Sequence, residues 1–284
     1  MKERIIVTGA NGQLGKQVVE ELSSDVYEIY PFDKHALDIT NMSQVMHILK
    51  QIHPHVIIHC AAYTKVDAAE EEEELAYLVN AIGTRNVAVA SQNLGAKFVY
   101  ISTDYVFPGD KMDGYHEFYT PAPVNVYGAS KYVGELFVKE LHNKYFIIRT
   151  SWLYGKYGNN FVKTMIRLGK EKDSVTVVAD QVGSPTYVTD LIAVIKKLMN
   201  TSLYGTYHVS NRGSCSWFEF AQKIFSHINI KVKVLPVSTE EFGARATRPK
   251  YSIFQHRMLQ LNGFSQMPSW EEGLERFFIE TKSH

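Results

Sequence analysis

The chain has 284 residues, 45% of them apolar and 21% charged, with 30 Lys and Arg balancing 30 Asp and Glu. That composition describes a globule large enough for one elaborated domain or a main domain with a smaller lobe, and its balanced charge offers no general field for nucleic acid or an anionic membrane. No apolar run approaches the roughly 18 residues of a membrane span. The opening residues reach a glycine turn too soon for a signal peptide, and Cys60 and Cys215, far apart in sequence, read as reduced thiols, so the expected compartment is the cytoplasm.

In chain order, Ile5 to Val7 reads as a short buried strand and Gly12 to Leu22 as a helix. Tyr27 to Phe32 is a second strand, and Met42 to Ile52 a helix with Thr40 or Asn41 as its cap. Val56 to Cys60 is a third strand, Glu71 to Leu94 one long helix, Lys97 to Ser102 a fourth strand and Tyr145 to Arg149 a later one. Apolar strands alternating with amphipathic helices predict an α/β fold, a Rossmann-like doubly wound parallel sheet. Beyond about residue 150 the alternation loosens. Phe161 to Gly169, Val188 to Met199 and Trp270 to Phe278 read as helices, Ser216 to Glu219 as a capping box opening another, and Val232 to Val237 as a strand. The expected organisation is a dinucleotide-binding domain over 1–150 and a small C-terminal α/β substrate lobe over 151–284, with some segments interleaved into the first.

Gly9-x-x-Gly12-x-x-Gly15 follows the first strand and opens the first helix. Glycines there allow a tight turn, let backbone amides approach a pyrophosphate and let the helix pack on the sheet. Asp33 ends the second strand 18 positions after Gly15, near the spacing of a ribose-binding acid, with Lys34 beside it. The acid favours NAD and the lysine offsets its repulsion of a 2'-phosphate, so both NADPH and NADH are expected to serve; the competing reading is a plain polar turn.

Tyr127 and Lys131 stand four residues apart, on one face if the segment is helical. An ammonium beside a phenol is expected to pull its pKa from about 10 toward neutrality, which suits proton exchange with a carbonyl or alcohol. Thr103 follows the fourth strand, at the carboxyl edge where such sheets bind ligands, and offers a hydroxyl to a carbonyl oxygen.

The glycine loop, the Ser/Thr and Tyr-x-x-x-Lys together resemble the extended short-chain dehydrogenase/reductase superfamily. The blocks Ala61-Ala62-Tyr63-Thr64-x-Val66-Asp67-x-Ala69-Glu70, Val79-Asn80-x-x-Gly83-Thr84, Ser102 to Phe107, Arg149 to Gly155 and Asp180-Gln181-x-Gly183-Ser184-Pro185-Thr186 narrow this to a resemblance to dTDP-4-dehydrorhamnose reductases. Pro108 departs from that pattern, as do the middle residues of Arg248 to Ser252. The resemblance implies Gly12, Gln13 and Leu14 at the pyrophosphate, Asp38 and Ile39 at the adenine, and Ala61, Ala62, Tyr63 and Thr64 along the middle of the cofactor. It implies Lys131 at the nicotinamide ribose, and Thr103, Asp104, Tyr105 and Trp152 around the sugar. The substrate it implies is a dTDP-sugar, reduced from dTDP-4-dehydro-β-L-rhamnose to dTDP-β-L-rhamnose; nucleic acid and membrane are not expected as partners, and a homodimer is left open.

Simpler readings stand beside these. Trp152 and Tyr105 are also explained as core aromatics, and Glu70 to Glu74 as a solvated helix face. His53, His55 and His59 read as structural. Arg245 and Arg248 are either diphosphate binders or surface residues. Some relatives are described with Mg2+, but no spacing of His, Asp and Glu here demands a metal. The alternative functions are another nucleotide-sugar epimerase or dehydratase, and a non-catalytic regulatory subunit like the methionine adenosyltransferase partner; intact Thr103, Tyr127 and Lys131 argue against the latter.

Overall fold

The computed structural model describes residues 2–24 and 26–282. Its frame is a parallel sheet, built from β1 (Glu3–Thr8), β2 (Tyr27–Phe32), β3 (Val56–His59), β4 (Lys97–Thr103), β5 (Tyr145–Thr150) and a sixth strand, Gly205–His208. The spatial order is Gly205–His208, β5, β4, β3, β1, β2. Alternate residues feed opposite cores. Ile5, Val7, Val56 and Ile58 join one cluster, while Ile6 and Ile57 join the other, as the two-residue period of a strand requires. Both faces are therefore covered, and the inner strands β1 and β3 are apolar where they cross the core, at Ile5 to Val7 and Val56 to Ile58.

Helix α1 (Gln13–Leu22) and the helix Val188–Met199 cover the first face with Val18, Leu22, Leu191 and Ile195. Helices α2 (Met42–Ile52), α5 (Thr84–Asn93) and α6 (Val126–Leu141) cover the second with Val45, Leu49, Val87 and Val138. Asn41 caps α2, accepting from the Gln44 amide at 3.1 Å. The sequence predicts one helix from Glu71 to Leu94. The structure instead has α3 (Val66–Ala69), α4 (Glu73–Tyr77), a π-helical turn over Leu78–Gly83, and then α5. Gly83 packs on Ile39 so closely that a Cβ there would come within 2.6 Å of its Cδ1. The wider π turn seats Asn80 among buried partners at the site described below.

A third core lies after residue 150. The helices Phe161–Glu171, Trp217–Ile228 and Trp270–Lys282 bury Val162, Phe220, Ile224, Leu274 and Phe277, with Ser174–Val178 pairing parallel to Lys233–Val237 at its edge. Ser216 and Glu219 form the capping box read from sequence. In a small sheet of Cys215–Ser216, Val182–Gly183 and Tyr251–Ser252, the Ser252 hydroxyl bonds the side chain of Asp104, the residue that follows β4. No helix among the described residues is long and apolar enough to cross a membrane.

Candidate active site

The loop after β1 is shaped by close backbone approach. Gly9 has φ of 66°, and a Cβ on it would lie 2.7 Å from the backbone of Ala61; a Cβ on Gly15 would strike the Gly9 carbonyl. Gly12 precedes α1 in extended conformation and gives the helix no side-chain cap. The first amides of α1 therefore remain for a ligand, and Gln13 and Leu14 lie in that first turn. A bare, uncapped cradle that any Cβ would fill fits the pyrophosphate of a dinucleotide. Gly158, from the later half, closes on it, its own Cβ position lying 3.1 Å from Cβ of Gln13.

Asp33 spends both oxygens locally. Asn11 donates to Oδ2 at 2.6 Å, and the amides of His35 and Ala36 donate to Oδ1 at 2.9 Å. Those amides hold its carboxyl below the usual range. Asp33 thus organises the turn and leaves Lys34 exposed beside it. Asp38 is likewise a turn former, accepting from the amide and hydroxyl of Thr40, while Ile39 is buried against Gly83. Across the crevice, Ala61, Ala62 and Tyr63 are half-buried and Thr64 is exposed. The Tyr63 backbone is gripped at both ends by Asn80, whose Oδ1 accepts from its amide at 2.8 Å and whose Nδ2 donates to its carbonyl at 3.0 Å.

The carboxyl end of β4 faces α6. Asn125 caps α6, accepting from the Gly128 amide at 2.7 Å, and the Glu70 carboxylate takes the Val126 amide at 2.9 Å. Gly128 is required by the approach of the Tyr105 carbonyl, which a Cβ would strike. Tyr127 and Lys131 project toward Thr103 and Ile101. The Lys131 ammonium donates to the Ile101 carbonyl at 2.7 Å and lies 4.1 Å from the centroid of the Tyr100 ring. Burial pushes it down to about 7, against the pull of Glu135 and Cys60.

The expected fall in the Tyr127 pKa does not occur. Burial pushes the phenol up to about 12, the nearby Thr103 hydroxyl acts the other way, and the Asp104 charge adds to the rise. The reason is geometric: Lys131 turns its charge to the strand carbonyl and the Tyr100 face. Thr103 donates to Asp104 Oδ1 at 3.0 Å, while Asp104 Oδ2 is buried with no hydrogen-bond partner. Burial pushes the Asp104 carboxyl up to about 6, although the Ser252 and Thr103 hydroxyls oppose it.

Tyr105 meets the Tyr127 ring edge-on at 5.7 Å, and burial raises its pKa well above the ordinary phenol value. Arg248 sits beside it, its guanidinium forked onto Asp67 at 3.0 and 2.7 Å. Arg245 pairs with Glu71 at the surface and Glu72 accepts from the Tyr63 hydroxyl, so three of the acids expected to form a solvated face are engaged. Trp152 holds a left-handed backbone, φ 47°, and stacks on Trp217 with centroids 3.4 Å apart. A non-glycine residue in that region is strained, a condition that clusters at functional sites. His59 is buried between the Thr8 and Thr84 hydroxyls, and His55 accepts from the Arg4 amide, both structural. Among the described residues, no group of three His, Cys, Asp or Glu is placed to hold a metal ion.

Residues 2–283 match the model of the RmlD substrate binding domain family. The chain belongs to that family. It is 40% identical to the dTDP-4-dehydrorhamnose reductase of Aggregatibacter actinomycetemcomitans, over 96% of this chain and 97% of that protein. It is also 40% identical to the spore coat polysaccharide biosynthesis protein SpsK of Bacillus subtilis, over 99% and 98%. Among solved structures it is similar to the dTDP-4-dehydrorhamnose reductase of Bacillus anthracis in complex with NADP, with a TM-score of 0.98 and 76% identity over 99% of this chain and 100% of that one.

In this RmlD-family chain the structure also adds residues that sequence reasoning left out of the site. Asn80 donates to Ser130 Oγ at 3.0 Å as well as holding Tyr63, and so ties the loop after β3 to α6. Asp67 fixes Arg248. Both lie inside blocks that carry the family resemblance, but a block in sequence does not say which of its side chains turns inward.

Proposed function

We propose that this chain reduces dTDP-4-dehydro-β-L-rhamnose to dTDP-β-L-rhamnose with NADPH or NADH, the last step in making that nucleotide sugar, and that it works in the cytoplasm. The observation that carries this is the meeting of Thr103, Tyr127 and Lys131 at the carboxyl end of β4, beside an uncapped glycine loop, in a chain of the RmlD family. The relatives named dTDP-4-dehydrorhamnose reductase point the same way, and neither an epimerase or dehydratase nor a regulatory subunit is favoured.

The nicotinamide, when bound, supplies the hydride. Gly9, Gly12, Gln13, Leu14 and Gly15 would hold its pyrophosphate, Lys34 the 2'-phosphate, Asp38 and Ile39 the adenine, Ala61 to Thr64 its middle, and Lys131 the nicotinamide ribose. Tyr127 gives the proton. A phenol held near 12 stays protonated at neutral pH, which is the form a donor needs. Thr103 shares the charge that develops on the sugar oxygen, and Lys131 supplies positive charge once the phenol has lost its proton. Asp104, Tyr105, Trp152 and Arg248 would line the sugar and diphosphate side. The test is direct: protein, NADPH and the 4-keto sugar nucleotide are mixed and the reduced-nicotinamide absorbance followed. A steady loss that needs all three components is expected; no loss at saturating substrate would remove the reductase assignment.

A further inference from the structure

Three consecutive residues of β4 are bonded to α6. The Tyr100 hydroxyl donates to the Lys131 carbonyl at 3.1 Å, the Lys131 ammonium donates to the Ile101 carbonyl at 2.7 Å, and the Ser102 hydroxyl donates to Glu135 Oε1 at 2.6 Å. The third link has a foundation the others lack. Glu135 also accepts from Arg149 Nε at 2.8 Å and Nη2 at 2.6 Å. Arg149 is the residue paired with Ser102 across β4 and β5, and His208 is the residue paired with Arg149 on the next strand. Arg149 Nη1 lies 3.3 Å from His208 Nε2. One carboxylate on α6 therefore clamps a row that crosses three strands, directly beneath Thr103.

Glu135, Arg149 and Ser102 are 0%, 1% and 4% exposed. A buried ion pair contributes little net stability over an apolar group of the same volume, so stability is a poor account of it, and the geometry that the pair holds is the feature left to explain. The geometry here is the register between β4 and α6. Ser102 precedes Thr103, and Glu135 lies one turn beyond Lys131 and two beyond Tyr127, on one helix face.

We propose that Ser102, anchored by the Glu135–Arg149 pair, is a positioning residue for the reduction: it fixes the height of Thr103 against Tyr127 so that both reach the same substrate oxygen. The inference rests on the reductase reading. It is tested with Ser102→Ala, which deletes one buried hydroxyl while Arg149 still satisfies Glu135, and with Ser102→Thr, which keeps the hydroxyl on a residue suited to a strand. For Ser102→Ala, kcat is expected to fall about tenfold, as small misplacements at a reacting centre do. Its NADPH dissociation constant and sugar-nucleotide KM should stay within about twofold. The primary isotope effect with 4-deuterated NADPH should rise as hydride transfer becomes limiting. Ser102→Thr should turn over several-fold faster than Ser102→Ala. Wild-type kcat and isotope effect in Ser102→Ala overturn the proposal, as do equal rates in the two variants. Failure of the wild type to oxidise NADPH is seen before either variant is made, and is the separate result that sinks the reductase reading.

Discussion

Tyr127 shows how burial and charge compete at one residue. Its neighbour four positions along suggests a lowered pKa, but the folded site buries the phenol and points the lysine elsewhere, so the phenol stays protonated at neutral pH. Tyr127→Phe keeps the ring and removes the hydroxyl that would give the proton. Turnover should fall by about 10²-fold or more while NADPH binding, measured by fluorescence titration, is kept. Near-wild-type turnover would take Tyr127 out of the mechanism. Asp33 and Lys34 also divide their tasks more sharply than sequence implies. Asp33 is occupied by Asn11 and two amides, which leaves Lys34 as the exposed charge beside the turn. Lys34→Ala should therefore shift the kcat/KM ratio several-fold toward NADH. Asp33→Ala should shift it toward NADPH and loosen the turn. Unchanged ratios in both would place the 2'-position contact elsewhere.

Between elements, the site depends on how closely α6 approaches the turn after β4. Gly128 permits that approach, because a Cβ there would strike the Tyr105 carbonyl. Gly128→Ala improves helix propensity by about 1 kcal/mol in isolation, yet should lower Tm by several degrees and kcat by about tenfold, since α6 must back away from Thr103. A raised Tm with full activity would show that the turn yields freely. Helix α4, the π turn and α5 illustrate the opposite case. Their apolar spacing is helical throughout, so no local signal separates them. The π turn is set by Asn80 meeting Tyr63 and Ser130, residues 17 and 50 positions away.

At the scale of the whole molecule, stability depends on pH through the buried carboxyl of Asp104. Asp104 is 4% exposed, and burial holds its carboxyl at about 6, above the usual carboxylate range near 4. A folded pKa above the unfolded one means that the folded state keeps a proton the unfolded chain releases. Stability from this group is therefore full below about pH 4 and lost as pH rises to about 6, on the order of 3 kcal/mol. In thermal melts from pH 4 to 7, Asp104→Asn should gain on wild type as pH rises. Parallel curves would assign that burial cost to other groups.

The sequence by itself determined the doubly wound sheet, because buried parallel strands must be apolar on both faces and Ile5 to Val7, Val56 to Ile58 and Phe98 to Ile101 are. It also placed the glycine loop, Thr103 and the Tyr127–Lys131 pair, since each is a local pattern with its own physical requirement. The sixth strand, Gly205–His208, carries no apolar run and became visible only through its pairing with β5. The Ser102–Glu135–Arg149–His208 row was equally hidden. Its members come from two strands, a helix and a strand beyond residue 200, and a buried charge is placed by the partner it meets in space rather than by its neighbours in the chain.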